Sequence, residues 1–236
     1  MRRFADLHVL PRPEDERACR DMAELLVLVG YSAAGLTFPS GLMRERVLML
    51  RQVFQQAGID VVLRIDLSPT SRQELLRLLR RFRNSYDIVS VKCVNQGVAT
   101  VACRDRRVDV VFFDPHNHRV RFNRPLANIL RGALELNLVA ALLKEQNSEV
   151  FARIAREAWI AGDHKVKVVL SSGSVSPSMV RAPSQIVALA CAMGLPRDQA
   201  LSGVSDTPSS IIVRNSQRRS QEFIEEGVRV VLPKAR

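Results

Sequence analysis

The stretch Asp60-Val-Val-Leu-Arg-Ile-Asp-Leu67 decides the fold. It is a near-continuous apolar run of strand length, the kind that parallel sheets bury on both faces. Before it, Met43, Val47, Leu50, Phe54 and Ala57 recur at helical spacing, and Gly58 supplies a stop. After it, Ser71 with Glu74 three residues on reads as a capping box. That box opens a helix whose apolar stripe is Leu75, Leu78, Leu79 and Phe82. A buried strand between two amphipathic helices, with short connections, is the repeating unit of a parallel α/β fold.

The unit repeats outward in both directions. Phe4 to Val9 alternates as a strand, and Pro11 and Pro13 end it. The next helix carries Glu14, Asp15 and Glu16 in its first turn, where the dipole favours acids, and Gly30 stops it. Ser32 to Phe38 is a second strand, closed by Pro39. Downstream the pattern predicts strands over Tyr86–Val91, Val108–Phe113, Gly132–Leu138 and Val166–Leu170, with a last strand at Val228–Leu232. Helices are predicted over Asn95–Arg106, Ser148–Ala161, Ser184–Met193, Pro196–Leu201 and Pro208–Arg218, while Arg119–Arg131 reads as loop with a short helical piece. Seven or eight alternations within 236 residues predict a TIM-like (β/α) barrel, eightfold by count, as one domain spanning 1–236. An open doubly wound sheet is the runner-up.

Composition narrows the function. A hydrophobic content of 47% excludes intrinsic disorder. No apolar run reaches the roughly 18–20 residues of a membrane span. The opening residues lead into no signal or transit pattern, so the expected location is the cytoplasm. Cys19, Cys93, Cys103 and Cys191 form no CxxC pair and read as reduced, mostly buried thiols. Thirty Arg and 5 Lys outweigh 24 acids, leaving a formal charge of +11. Arginine favours planar, bidentate phosphate recognition, which points to a polyanion and first to nucleic acid.

Several constellations could carry chemistry. Asp6-Leu7-His8 ends the first strand, where barrel enzymes place catalytic groups. Metallophosphoesterases of the polymerase and histidinol phosphatase (PHP) class open similarly with a metal-binding His-x-His. Here Leu10 takes the second position, no acid-rich set of partner ligands is evident, and only His116 and His118 offer a substitute pair. A metal-dependent phosphoesterase is therefore the second reading. Ser171-Ser172-Gly173-Ser174 follows a buried strand, and its small side chains would let backbone N–H groups approach a phosphate.

Basic residues concentrate in three places: Arg72 to Arg83, Arg104 to Arg131, and Lys165, Lys167 and Arg181 around the serine–glycine turn. Aromatic residues are too scarce for a base-stacking platform. Contact with folded RNA through phosphate and shape fits better.

Ordered motifs then resemble one family. FADLHV at 4–9, GYSAAGLT at 30–37 and YDIVSVKC at 86–93 are similar to segments of ribonuclease P protein component 3, the barrel subunit of archaeal and eukaryotic ribonuclease P. So are RRVDVVFFD at 106–114, FNRPLANILRGALELNL at 122–138 and VVLSSGSVSPSMVRAPSQIVALACAMGL at 168–195. The similarity spans residues 4 to 218 and, without a long charged tail, resembles archaeal members. It implies a barrel related to the PHP phosphoesterases that lacks their metal centre. It also implies membership of the ribonucleoprotein that cuts 5′ leaders from precursor tRNA. There the RNA, using Mg²⁺, hydrolyses the phosphodiester; the protein holds no cofactor and no catalytic residue. Its expected partners are the ribonuclease P RNA, precursor tRNA within the complex and a small ferredoxin-like protein subunit. The family's basic positions fall on Arg181 and near Lys165, whereas Val98 and Val101 stand where some relatives carry arginine. The expected RNA-binding set is therefore Arg104, Arg107, Arg124, Lys165, Lys167, Ser172, Gly173 and Arg181.

Overall fold

Asp15, Ser71, Asn95 and Asn123 each cap a helix by accepting the N–H three residues on. At Ser71 the expected box is altered: the Glu74 carboxylate turns back to the Thr70 N–H and hydroxyl, at 2.7 and 2.8 Å. The computed structural model in which these caps sit describes residues 3–38, 41–139, 148–220, 223–225 and 228–229.

Seven parallel strands lie side by side in chain order: β1 (Phe4–Val9), β2 (Tyr31–Thr37), β3 (Asp60–Leu67), β4 (Ile88–Lys92), β5 (Val110–Phe112), β6 (Ala133–Asn137) and β7 (Val168–Ser171). Between them run α1 (Glu16–Leu28), α2 (Arg44–Gln56), α3 (Arg72–Phe82), α4 (Gln96–Arg104), α5 (Arg124–Ile129) and α6 (Ser148–Asp163). After β7 come α7 (Pro183–Ala192), α8 (Arg197–Gly203) and α9 (Asp206–Arg218). A short antiparallel pair follows, β8 (Phe223–Glu225) with β9 (Val228–Arg229). The architecture is a TIM-like barrel.

The eightfold expectation is corrected: among the described residues the barrel has seven strands. The expected last strand begins at Val228, but β9 pairs with β8 and not with the barrel; residues 230–232 lie outside the described residues. No eighth strand is needed because the seam between β7 and β1 is satisfied locally. At the end where strands finish, Val9 bridges Ser174 in parallel and the Leu10 N–H donates to the Ser174 carbonyl at 2.8 Å. At the end where strands begin, the Ala5 N–H donates to the carbonyl of Val204, just beyond α8, at 3.0 Å.

Alternate strand residues fill the barrel from within. Ala5, Leu7, Ile88, Val110, Ala133 and Val169 form an apolar layer toward the strand-start end, plugged by Ile211 of α9. Above this layer the interior turns polar. There β1 carries a bulge: Asp6 pairs with Ala34 but Val9 with Leu36, so three steps on β1 match two on β2. A bulge re-aims side chains, and here it brings His8 inward. Across from it, a Cβ on Gly35 would lie 2.4 Å from the Leu7 carbonyl oxygen. Only glycine lets that carbonyl face the barrel centre. Gly35→Ala should lower stability by about 1–3 kcal/mol through overpacking against backbone, read as a lower urea midpoint with an unchanged slope.

Candidate functional site: the ionic centre and the basic surfaces

Arg64, midway along β3, has no exposed side-chain surface. Its guanidinium has five N–H donors, and each finds an acceptor. Nε reaches Asp66 Oδ1 at 2.7 Å. Nη1 donates to the Leu7 carbonyl at 3.0 Å and to Glu135 Oε1 at 2.7 Å. Nη2 donates to Ser90 Oγ at 3.1 Å and Glu135 Oε2 at 2.5 Å. Ser171 Oγ adds a bond to Glu135 Oε1 at 2.6 Å. His8 joins the group with Nε2 3.0 Å from Asp66 Oδ2 and Nδ1 3.5 Å from Glu135 Oε1. Two carboxylates thus face one permanent cation and one titratable one, held by strands β1, β3, β4, β6 and β7.

Electrostatics makes the centre self-consistent. Burial and the Arg64 cation push His8 down, but Glu135 and Asp66 outweigh them and raise it to about 9. Burial pushes Asp66 up, yet Arg64 and His8 overcome it and hold the carboxyl at about 2. Glu135 is lowered against its burial by the same two cations. His8 is therefore an imidazolium at neutral pH. The Asn137 amide stands 3.1 Å from His8 Nδ1, and an imidazolium, donating from both nitrogens, selects the amide orientation that presents oxygen.

Above this centre opens a cavity of about 420 Å³ at the mouth of the barrel, lined in part by His8, Asp66, Lys92, Asp114, His116 and Gly173. On this lining Lys92 pairs with Asp114 at 2.7 Å. The phosphoesterase reading finds no support. Acids do stand beside His8, contrary to the sequence expectation, but Arg64 occupies both of them. His118 Nδ1 lies 2.7 Å from an Arg153 nitrogen rather than joining His8. Among the described residues, no group of three or more His, Cys, Asp or Glu is placed to hold a metal.

The centre was missed by periodicity, which passed over Arg64 within an apolar run. The available signal was a charge midway along a strand buried on both faces, which can persist only when paired.

The expected RNA-binding residues are not gathered in one place. Ser172 is fully buried; its N–H donates to Asp6 at 3.2 Å, and its Oγ accepts from Ser174 N–H and hydroxyl. Burial pushes the Asp6 carboxyl up against these bonds. Gly173, at φ +62°, packs where a Cβ would strike the Asn137 amide. The turn therefore seals the seam from inside, and its Ser172 and Ser174 N–H groups are already engaged within the protein. Lys165 and Lys167 precede β7 and so stand at the strand-start end, while the serine turn and Arg181 follow it. The four residues of β7 separate them by roughly 13 Å of strand rise. Arg181 donates to the Ser178 and Val180 carbonyls at 2.7 and 2.8 Å. Arg104 and Arg107 join the lysines at the strand-start end, Arg107 chelated by Asp105. Arg124 lies apart, on α5.

Residues that the sequence set omitted enlarge the strand-start surface. A cavity of about 470 Å³ there is lined by Arg83, Arg106, Arg107, Arg218, Arg219 and two asparagines. Buried Asp109 holds the Arg83 of this lining, accepting from it at 2.5 Å and from Arg214 of α9 at 2.7 Å. Charges from the end of α3, the α4–β5 connection and α9 meet here only through folding, so no local pattern announces their convergence.

Similarity to known proteins agrees with this architecture. A chain in a cryo-EM structure of archaeal ribonuclease P with mature tRNA superposes with TM-score 0.80 at 16% identity, covering 97% of this chain and 99% of that one. A putative prolidase from Bifidobacterium longum superposes at 0.59 with 11% identity, over 92% of this chain and 70% of that one. By fold the protein is thus a TIM-like barrel. Ribonuclease P protein component 3 of Methanosarcina acetivorans is 26% identical, over 97% of this chain and 96% of its own length. The homologue of Methanothermobacter thermautotrophicus is also 26% identical, with the same coverage. The family model for RNase P subunit p30 matches residues 3–220. The chain belongs to that family and is a protein subunit of ribonuclease P.

Arg64→Met should cost about 3–5 kcal/mol, because Asp66 and Glu135 stay buried without their cation. Adding Glu135→Leu should recover part of the loss, read from urea midpoints in a double-mutant cycle. His8 is raised above its ordinary 6.5 to about 9, so its stabilising contribution is complete below the lower value and lost as pH rises through the upper. The urea midpoint should fall across that interval, and His8→Gln should flatten the fall.

Proposed function

We propose that this chain is a non-catalytic, RNA-binding subunit of ribonuclease P, the endoribonuclease that removes 5′ leaders from precursor tRNA. The observation that carries the reading is the barrel centre: both carboxylates beside His8, Asp66 and Glu135, are locked on Arg64, while many other arginines stand on outer surfaces. A carboxylate held low by a guanidinium is a poor general base and a poor metal ligand. Outer arginines relieve the repulsion that arises when a catalytic RNA and its tRNA substrate bring their phosphates together. Catalysis then rests with the ribonuclease P RNA and its Mg²⁺. No helix of the described residues is long and apolar enough to cross a membrane, which is compatible with work in the cytoplasm.

Within this reading Arg104, Arg107, Lys165 and Lys167 contact RNA from the strand-start end. Arg124 and Arg181 do so from two other surfaces, with Ser172 and Gly173 shaping the seam beneath Arg181. The small ferredoxin-like subunit is the proposed protein partner.

Reconstitution of leader removal from cognate RNA, the ferredoxin-like subunit and this chain tests the proposal. Omitting the chain should raise the Mg²⁺ needed for cleavage; an unchanged requirement counts against it, as does hydrolytic turnover by RNA-free protein. Arg181→Ala should reduce the salt slope of RNA association by about 0.7–0.9, one phosphate's worth.

A further inference from the structure

Trp159 is the sole tryptophan of the chain and lies 51% exposed on α6. It borders a groove of about 770 Å³ between α5 and α6, into which Arg121, Arg124, Arg153 and Arg156 also face. Arg153, Arg156 and Trp159 recur every three residues, so one helix face presents all three. The Arg124 guanidinium stands over one face of the indole, 5.4 Å from its centroid.

The groove is short of negative charge. Arg121 is held by neutral oxygens, the Asp114 and Pro115 carbonyls, each at 2.6 Å. Arg153 donates to the same Pro115 carbonyl at 2.7 Å, so two cations converge on one uncharged acceptor. Burial and the Arg153 cation lower the Arg121 guanidinium against the opposing pull of Glu157. Glu157 itself is buried and pushed up to about 7, which leaves it only partly ionised at neutral pH. Asp163 comes no nearer than 4.0 Å to Arg124, and Glu149 is paired with Arg153. Among the described residues no carboxylate forms an ion pair with Arg121 or Arg156. Four guanidiniums therefore face too few carboxylates, beside an indole that folding leaves half exposed.

We propose that this groove binds single-stranded RNA, with one unstacked base lying on Trp159 and the flanking phosphates taken by Arg124 and Arg156. The inference rests on the RNA-binding reading above and deepens it. A half-exposed indole suits a nucleobase, cations short of counter-ions suit phosphodiesters, and one aromatic suffices for one splayed base where a platform would need several. A base-paired helix would leave the indole unused, and so would an acidic peptide.

The lone tryptophan reports on its own site. A short unstructured oligoribonucleotide should quench or shift its emission with salt-sensitive affinity. Inorganic polyphosphate should compete at low salt yet leave emission nearly unchanged. By fluorescence anisotropy of a labelled oligonucleotide, Trp159→Leu should weaken binding roughly 5- to 100-fold, with Trp159→Phe recovering most of it. Arg156→Gln should reduce the salt slope by about 0.7. Both side chains are exposed, so an unchanged urea midpoint will confirm that the variants fold. If the oligonucleotide binds while emission and the Trp159→Leu affinity stay at parental values, the groove is not the site, although general RNA binding survives. If neither oligonucleotide nor ribonuclease P RNA binds, the underlying reading fails with it. A tryptophan response to the ferredoxin-like subunit alone would make the groove a protein-docking surface and overturn the proposal.

Discussion

The Arg64 guanidinium, pinned by Asp66 and Glu135, is the interaction on which the barrel depends. A closed sheet must fill its own interior, and the lower part of this one does so with small and branched apolar residues. Its middle is filled by a cation and two anions drawn from two strands, β3 and β6, with Leu7, Ser90 and Ser171 supplying the remaining bonds. Burying these charges costs several kcal/mol per ion, and only near-complete satisfaction offsets that. The reward is specificity: slipping a strand by one residue would turn Arg64 or Glu135 out of the barrel and strand its partners.

The same pairing keeps His8 and its two carboxylates chemically quiet. His8 stands where barrel enzymes hold catalytic groups, but it is an imidazolium braced between carboxylates that are themselves bound. Its proton is held tightly near neutrality, so it is ill suited to shuttle one. Activity in the ribonuclease P setting falls naturally to the RNA, and the protein's contribution moves to its outside.

Most of the fold was legible because parallel α/β units announce themselves through short apolar strands and capped amphipathic helices. The strand Asp60–Leu67, the helix start at Ser148 and the cap at Ser71 lie where the sequence pattern puts them. The eighth strand was not legible as absent, since its role is shared by the Val204 carbonyl and the Ser174 bridge, neither of which has a periodic signal. The site was harder. Arginine-rich segments show in composition, but which end of the barrel each occupies depends on strand direction. Lys167 and Ser172 are five residues apart in sequence, yet β7 carries them to opposite ends. Ser172 had the composition of a phosphate turn, and its burial follows from Asp6, a residue 166 positions away.

The seam has a further consequence for how the chain comes into being. Leaving the ribosome N-terminus first, β1 emerges with one edge that can be completed only by Ser172, Ser174 and Val204, near the far end of the polypeptide. Until those residues are synthesised, the growing sheet is an open crescent whose outer strands expose unsatisfied main-chain groups. Closure of the barrel therefore waits for residues made late in synthesis, and exposed strand edges of this kind are where a growing chain is prone to aggregate.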